Sequence, residues 1–196
     1  MTTVSEAIKK RHSARAFTDR DVDIDTVKSI IQIAKQSPSG VNTQPWNVYV
    51  LSGDARDKLV NEATSRYDQG KMDGQEYLVY PKEMPDWYKE RRRAVGWAMY
   101  GAIGIEKGDT EKMMAQGRKN YEFFGAPVGI FITVKNCVGP NGWGHVGHFI
   151  QNVCLLAIEN GLATCLQEAW AELPKLVREH VDYPEDETLW CGIALG

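Results

Sequence analysis

Cysteine is scarce and scattered in this chain of 196 residues: Cys137, Cys154, Cys165 and Cys191 form no Cys-x-x-Cys pair. Neither a zinc site nor a dithiol redox centre is therefore written into it. The last three sit in apolar surroundings and read as small buried hydrophobes. No apolar run approaches the roughly 18 residues that cross a bilayer, and Met-Thr-Thr-Val-Ser-Glu at the start holds no apolar signal core. A cytoplasmic location is the expectation. Net charge is only -3, so nothing in the overall balance draws the chain to nucleic acid or to an anionic membrane. The runs Lys9-Lys10-Arg11 and Arg91-Arg92-Arg93 are local, and a triple arginine reads as a solvated helix face. No Gly-x-Gly-x-x-Gly follows a strand, and Gly101-Ala-Ile-Gly104 precedes no Lys-Ser/Thr pair, so Rossmann and P-loop readings fail. His145-x-x-His148 has helical spacing for two metal ligands but lacks a third, which leaves cap or solvent roles and no metal. Repeats and low-complexity segments are missing too.

What is present describes a folded protein: 43% of residues are hydrophobic and 25% charged, enough to bury a sizeable core. The length favours one domain over residues 1–196. Thr3-Val-Ser-Glu6 is a capping box that predicts a short helix to about Lys10. Asp23 caps a second helix, with Ile24, Val27, Ile30, Ile31 and Ala34 at helical spacing and a stop at Ser37-Pro38. A strand is expected at Val48–Leu51 and a third helix at Asp54–Ala63. Residues 64–89 are polar and aperiodic, with Pro81 and Pro85, and read as an irregular, lid-like excursion. Helices follow at Glu90–Gly101 and Asp109–Phe124, then a strand at Gly129–Val134 and a loop at Lys135–Gly144. His145–Asn160 is apolar almost all round, which predicts a buried central helix ended by Gly161. A strand at Leu162–Leu166, a helix at Pro174–Val181 and a strand at Thr188–Leu195 complete the chain. Helices outnumber and separate the strands, which argues for a layered α/β or α+β domain with a small central mixed sheet flanked by helices.

Two polar runs stand apart from this core pattern. In Arg11-His-Ser-Ala-Arg15, the residues Arg11, Ser13 and Arg15 alternate along an extended segment and so share a face. Each would be a surface residue if taken alone. Three donors with no acid between them suit an anion such as a phosphate. Ser37-Pro-Ser-Gly-Val-Asn-Thr-Gln-Pro-Trp46 ends a helix with turn formers and then presents the amides of Asn42 and Gln44. Pro38, Ser39 and Gly40 alone would be an ordinary helix stop; the paired amides suit a heterocycle or a polyol. The aromatics Trp87, Trp97, Tyr100, Tyr121, Phe123, Phe124 and Trp143 read mostly as core or interface. Those in the irregular middle segment are candidate walls for a planar molecule.

On these two motifs, in this order and spacing, the chain resembles the nitroreductase family of flavoproteins, within it the nitrobenzoate reductase branch. Asn120 to Pro127, Gly147 to Asn152 and Gly161 to Cys165 extend the likeness over essentially the whole chain. The resemblance implies an intertwined homodimer with FMN at the subunit interface. Arg11, His12, Ser13 and Arg15 would hold the phosphate and ribityl chain, and Pro38, Ser39, Asn42, Gln44 and Gln151 the flavin. The turn at Leu166-Gln167 would offer backbone N–H groups near the reactive flavin nitrogen. NAD(P)H would donate hydride, and a nitroaromatic, quinone or similar small planar acceptor would follow in the same pocket, by a ping-pong route with the flavin carrying the chemistry. The rivals are a flavin-consuming or reductively dehalogenating relative, and a flavin-binding protein with little turnover. Relatives continue past the last strand with basic residues that reach the phosphate and a strand that pairs with the partner. For a chain stopping at Gly196, the expectation is weaker flavin retention with dimerisation preserved.

Overall fold

The computed structural model describes residues 2–196. Thr3 caps the first helix through the reciprocal bonds of a capping box with Glu6, and α1 runs Val4–Lys10. Asp23 accepts the backbone N–H groups of Asp25 and Thr26 to start α2, Ile24–Ala34. The strand β1, Trp46–Ser52, leads directly into α3, Gly53–Asp68. Then come α4, Asp86–Ala102, and α5, Thr110–Arg118. The strand β2 covers Val128–Lys135, α6 Pro140–Glu159, β3 Thr164–Gln167, α7 Pro174–Val181 and β4 Glu187–Leu195. Short 3-10 turns lie at Gly40–Asn42, Lys119–Gly125 and Glu168–Glu172.

The sheet has the order β1-β2-β4-β3, and its four strands pair antiparallel. The parallel part of the expected mixed sheet is reduced to an isolated bridge between Ser13 and Thr164. Both faces of the sheet are covered, so β2 is buried from Val128 to Val134 rather than alternating. Side chains still divide by parity. Val128, Ile130, Ile132 and Val134 pack with Val27 and Ile30 of α2 and Val146, Phe149 and Val153 of α6. Phe131 joins Leu59 of α3, Phe123, Trp170 and Leu176 on the other face. Gly129 and Gly192 make room there, since a Cβ at Gly129 would run into the Phe123 ring and one at Gly192 into Trp170.

Several boundaries depart from the sequence reading, for identifiable reasons. The α-helix expected through Phe124 ends at Arg118 and tightens into the 3-10 turn Lys119–Gly125, in which Phe123 and Phe124 take left-handed backbone (φ 51° and 53°). That turn lays Phe123 against Gly129 and stacks it on Trp170 at 4.8 Å, so tertiary packing overrides helical periodicity. The central helix begins at Pro140 and not His145, with proline in the first turn, where its missing N–H costs nothing. Residues 64–68 continue α3 and α4 starts at Asp86, which shortens the irregular excursion to residues 69–85.

That excursion is tied down. Asp73 Oδ2 accepts the Lys175 and Leu176 N–H groups, both at 3.0 Å, and so caps α7 from outside it. The Tyr77 hydroxyl donates to the Trp190 carbonyl, and its ring meets Trp143 edge-on at 4.8 Å. By contrast, α4 has no buried residue along its whole length. No described helix is long and apolar enough to cross a membrane. No group of three or more His, Cys, Asp or Glu residues is arranged to hold a metal among the described residues.

Candidate functional site

The basic run is placed by an edge strand. β3 is the last strand of the sheet, and Ser13-Ala14 crosses its open side, the Ala14 N–H donating to the Thr164 carbonyl at 3.0 Å. On the inner side Ala163 and Gly196 exchange both backbone bonds. Backbone groups alternate in direction along a strand, so residues 165 and 167 bond β4, while Thr164 and Leu166 face outward. Leu166 therefore presents its N–H at the open edge beside the basic run, with its side chain 42% exposed. Leu166 and Gln167, expected in a turn, instead end the strand β3.

Arg11 and Arg15 flank Cys165 from this run. Burial pushes the Cys165 thiol up, and the Arg15 and Arg11 guanidiniums, with the Ser13 hydroxyl, pull it back. Neither arginine has an ion pair or a side-chain hydrogen bond among the described residues, so ten guanidinium N–H donors are left to other partners. Arg15 also lines a cavity of about 530 Å³ with Tyr80, Asn120, Leu166, Gln167 and Glu168. Gln167 is 1% exposed. Its side-chain N–H donates to the Asn120 carbonyl at 2.6 Å, which fixes the amide orientation and leaves Oε1 buried without a partner. Loss of water around Glu168 raises its carboxyl above the usual carboxylate range.

The second run sits at the N-terminal end of α6. Ser37 Oγ donates to the Ala34 carbonyl and accepts from Asn152 Nδ2, both at 2.7 Å. His148 Nδ1 meets the Pro38 carbonyl at 3.3 Å and so carries its proton there. The Gly40 N–H points at His145 Nε2 at 3.4 Å. The two histidines that failed as a metal pair thus act as clamps on the loop. Beyond them Ser39 Oγ accepts the Gln44 N–H, and Asn42 Oδ1 accepts Gln44 Nε2, both at 3.0 Å. Val41, Asn42 and Gln44 have positive φ (44°, 57° and 45°), and all three are exposed. Strain of about 1–3 kcal/mol per residue persists only where the surroundings enforce it, and it gathers at binding loops.

Two expected residues are exposed and make little contact with the rest of the chain. His12 is exposed, with Nδ1 3.0 Å from the Lys10 carbonyl. Gln151 is exposed on α6 and makes no side-chain hydrogen bond; its neighbour Asn152 makes the contact with the loop. No hydrogen bond or ion pair among the described residues joins the Arg11-to-Arg15 group to the Ser39-to-Gln44 group. Asn120 and Tyr80, which the sequence reading did not single out for the site, stand on its walls. Asn120 lay inside a recognised motif, but its backbone carbonyl carries the contact, and side-chain chemistry gives no signal for that.

The model of the nitroreductase family matches residues 8–196. The chain belongs to the nitroreductase family. It is 35% identical over 194 residues to a 4-nitrobenzoate reductase of Nocardioides sp. (strain LMS-CY), covering 96% of this chain and 78% of the relative. It is 31% identical to a nitrobenzene nitroreductase of Ectopseudomonas oleovorans, covering 98% and 86%. Among solved structures, the FMN and NADPH-dependent nitroreductase NfnB from sphigopyxis sp. strain HMH superposes with a TM-score of 0.94 at 38% identity, over 99% of this chain and 87% of that one. The FMN-dependent NfnB from Mycobacterium smegmatis, in complex with NADPH, gives 0.92 at 28% identity, over 98% and 86%. The layered helix and antiparallel-sheet architecture is thus that of nitroreductases.

Proposed function

We propose that this nitroreductase-family chain is an FMN-dependent NAD(P)H oxidoreductase that reduces nitroaromatics, quinones or similar planar acceptors by a ping-pong route. One observation carries the reading: Arg15, Leu166 and Gln167, whose Oε1 is orphaned, line one cavity at the sheet edge, and the basic run that ends in Arg15 carries a second unpaired guanidinium at Arg11. The donor set fits FMN, since guanidiniums suit its phosphate and an N–H with a buried acceptor suits the polar edge of its ring. The similar NfnB structures, one FMN- and NADPH-dependent and the other FMN-dependent in complex with NADPH, support the same cofactor and donor.

When bound, FMN supplies the redox chemistry, taking hydride from NAD(P)H and passing electrons to the acceptor. The chain's own work is to hold and orient. Arg11, Ser13 and Arg15 hold the phosphate end, Leu166 donates to the ring edge, and Gln167 anchors the cavity wall. His12 would add a further donor at the phosphate end. Pro38, Ser39, Asn42 and Gln44 would complete the flavin's surroundings, with Gln151 nearby, from the partner subunit of a homodimer. The lack of any bond between the two polar groups within one chain supports that arrangement, as does the apolar groove between α1, α2 and α6 lined by Val4, Ile33, Leu155 and Leu156. Four free thiols, three of them buried, suit a reducing cytoplasm.

The test is direct. The purified protein should carry the absorbance of an oxidised flavin, and NAD(P)H oxidation should rise when a nitroaromatic is added. With donor and acceptor varied together, parallel double-reciprocal lines are expected. A flavin-free protein that takes up no FMN would sink the reading, and bound flavin without turnover would leave a flavin-binding protein.

A further inference from the structure

A second cleft, of about 340 Å³, lies on α4 and is lined by Arg92, Arg93, Trp97, Tyr100, Lys89 and Met84 among others. It has no acidic wall. Of its three cations only Lys89 meets a carboxylate, Asp86 at 3.4 Å. Arg92 and Arg93 have no ion pair among the described residues, although Glu83, Glu90 and Asp86 are near in sequence. The Arg92 guanidinium lies over the Tyr80 ring at 4.8 Å, and Tyr80 also lines the cavity of Leu166 and Gln167. The Arg92–Tyr80 pair is therefore the wall shared by the basic cleft and the candidate flavin cavity.

We infer that this cleft binds the adenosine 2′-phosphate end of the hydride donor and makes the enzyme selective for NADPH over NADH. The inference rests on the proposed NAD(P)H-dependent activity and names its donor. A 2′-phosphate adds a dianion to one end of an otherwise identical molecule, and a carboxylate-free pair of guanidiniums is suited to distinguish the two. The flat faces of Trp97 and Tyr100 suit the purine beside it. Arg91 is the contrasting neighbour, since its guanidinium lies over Trp87 at 5.2 Å and it does not line the cleft.

Binding of adenosine 2′,5′-bisphosphate and of 5′-AMP to the flavin-loaded protein tests this by calorimetry, without turnover. The bisphosphate should bind the native protein about ten- to a hundredfold more tightly, as a charge-assisted phosphate contact implies. The variant carrying both R92A and R93A should lose that difference, and R91A should keep it. Because α4 buries no residue, unfolding temperature should stay near the native value in all three. In steady state, the double variant should raise KM for NADPH far more than KM for NADH. Equal affinities for the two nucleotides in the native protein would overturn the inference, as would discrimination that survives in the double variant. Oxidation of both donors with no nucleotide discrimination leaves the proposed activity standing and removes this cleft from it. Discrimination without any turnover does the reverse.

Discussion

Gln167 and Asn120 are joined by a side-chain to main-chain hydrogen bond of 2.6 Å, which couples β3 to the turn that follows α5. The bond fixes a buried amide whose other atom has no partner in the chain. Gln167→Met should keep the volume and remove both polar atoms. Leaving the Asn120 carbonyl unpaired then costs about 1–3 kcal/mol of stability, partly offset because the orphaned oxygen goes too. FMN affinity should fall as well. Chemical denaturation and flavin titration of the same variant check both, and unchanged flavin affinity would remove Oε1 from the site.

Arg11→Ala should weaken FMN binding by about 1.5–3 kcal/mol, the worth of a hydrogen bond to a charged group. Arg93→Ala, on the other cleft, should leave FMN binding as it is. Titrating the two apoproteins side by side separates the sites, and equal affinities would show that Arg11 is not a phosphate ligand.

Val41 is a 96% exposed β-branched residue at φ 44°. Val41→Gly should relieve local strain and raise stability by about 1 kcal/mol, less what the unfolded chain gains in freedom. The same change loosens the loop that carries Asn42 and Gln44, so flavin should dissociate faster. Thermal unfolding of the apoprotein and the flavin off-rate give the two halves. A variant that is less stable without flavin would contradict the strain argument.

Glu168 stands exposed at the cavity wall, yet partial desolvation there raises its carboxyl, so the folded protein holds this proton somewhat more tightly than the unfolded chain does. The resulting cost to stability is full above the raised value and vanishes below the ordinary carboxylate range. Glu168→Gln should therefore raise the unfolding temperature near neutral pH and make no difference near pH 3. A stabilisation that persists in acid would refute the assignment.

Much of this was legible in the chain itself. Thr3 and Glu6, Asp23 and the β-branched run of Ile130, Ile132, Thr133 and Val134 are local signals, so helix starts and the central strand could be read from them. The basic run and the Asn42–Gln44 loop were also legible as surface segments, because their polar residues fall in patterns that no core needs. What could not be read depends on contacts distant in sequence. Phe123 breaks its helix to reach Gly129, Asp73 caps a helix a hundred residues away, and His145 and His148 become clamps only because Pro38 and Gly40 fold onto them. The outward face of Leu166 likewise follows from the pairing of Ala163 with Gly196, which no periodicity in the chain announces.

The helix α4 has no fully buried residue, and this loosens the link between two kinds of change that are usually coupled in enzymes. Substitutions at its exposed positions reach whatever occupies the neighbouring clefts while leaving the two buried core clusters intact, so they soften the common exchange of stability for new activity. A lineage built on this scaffold can therefore drift in what it admits while Gly129, Gly192 and the aromatics against them stay under strict steric constraint. Diversity among such chains should accumulate along one helix and leave the sheet nearly silent.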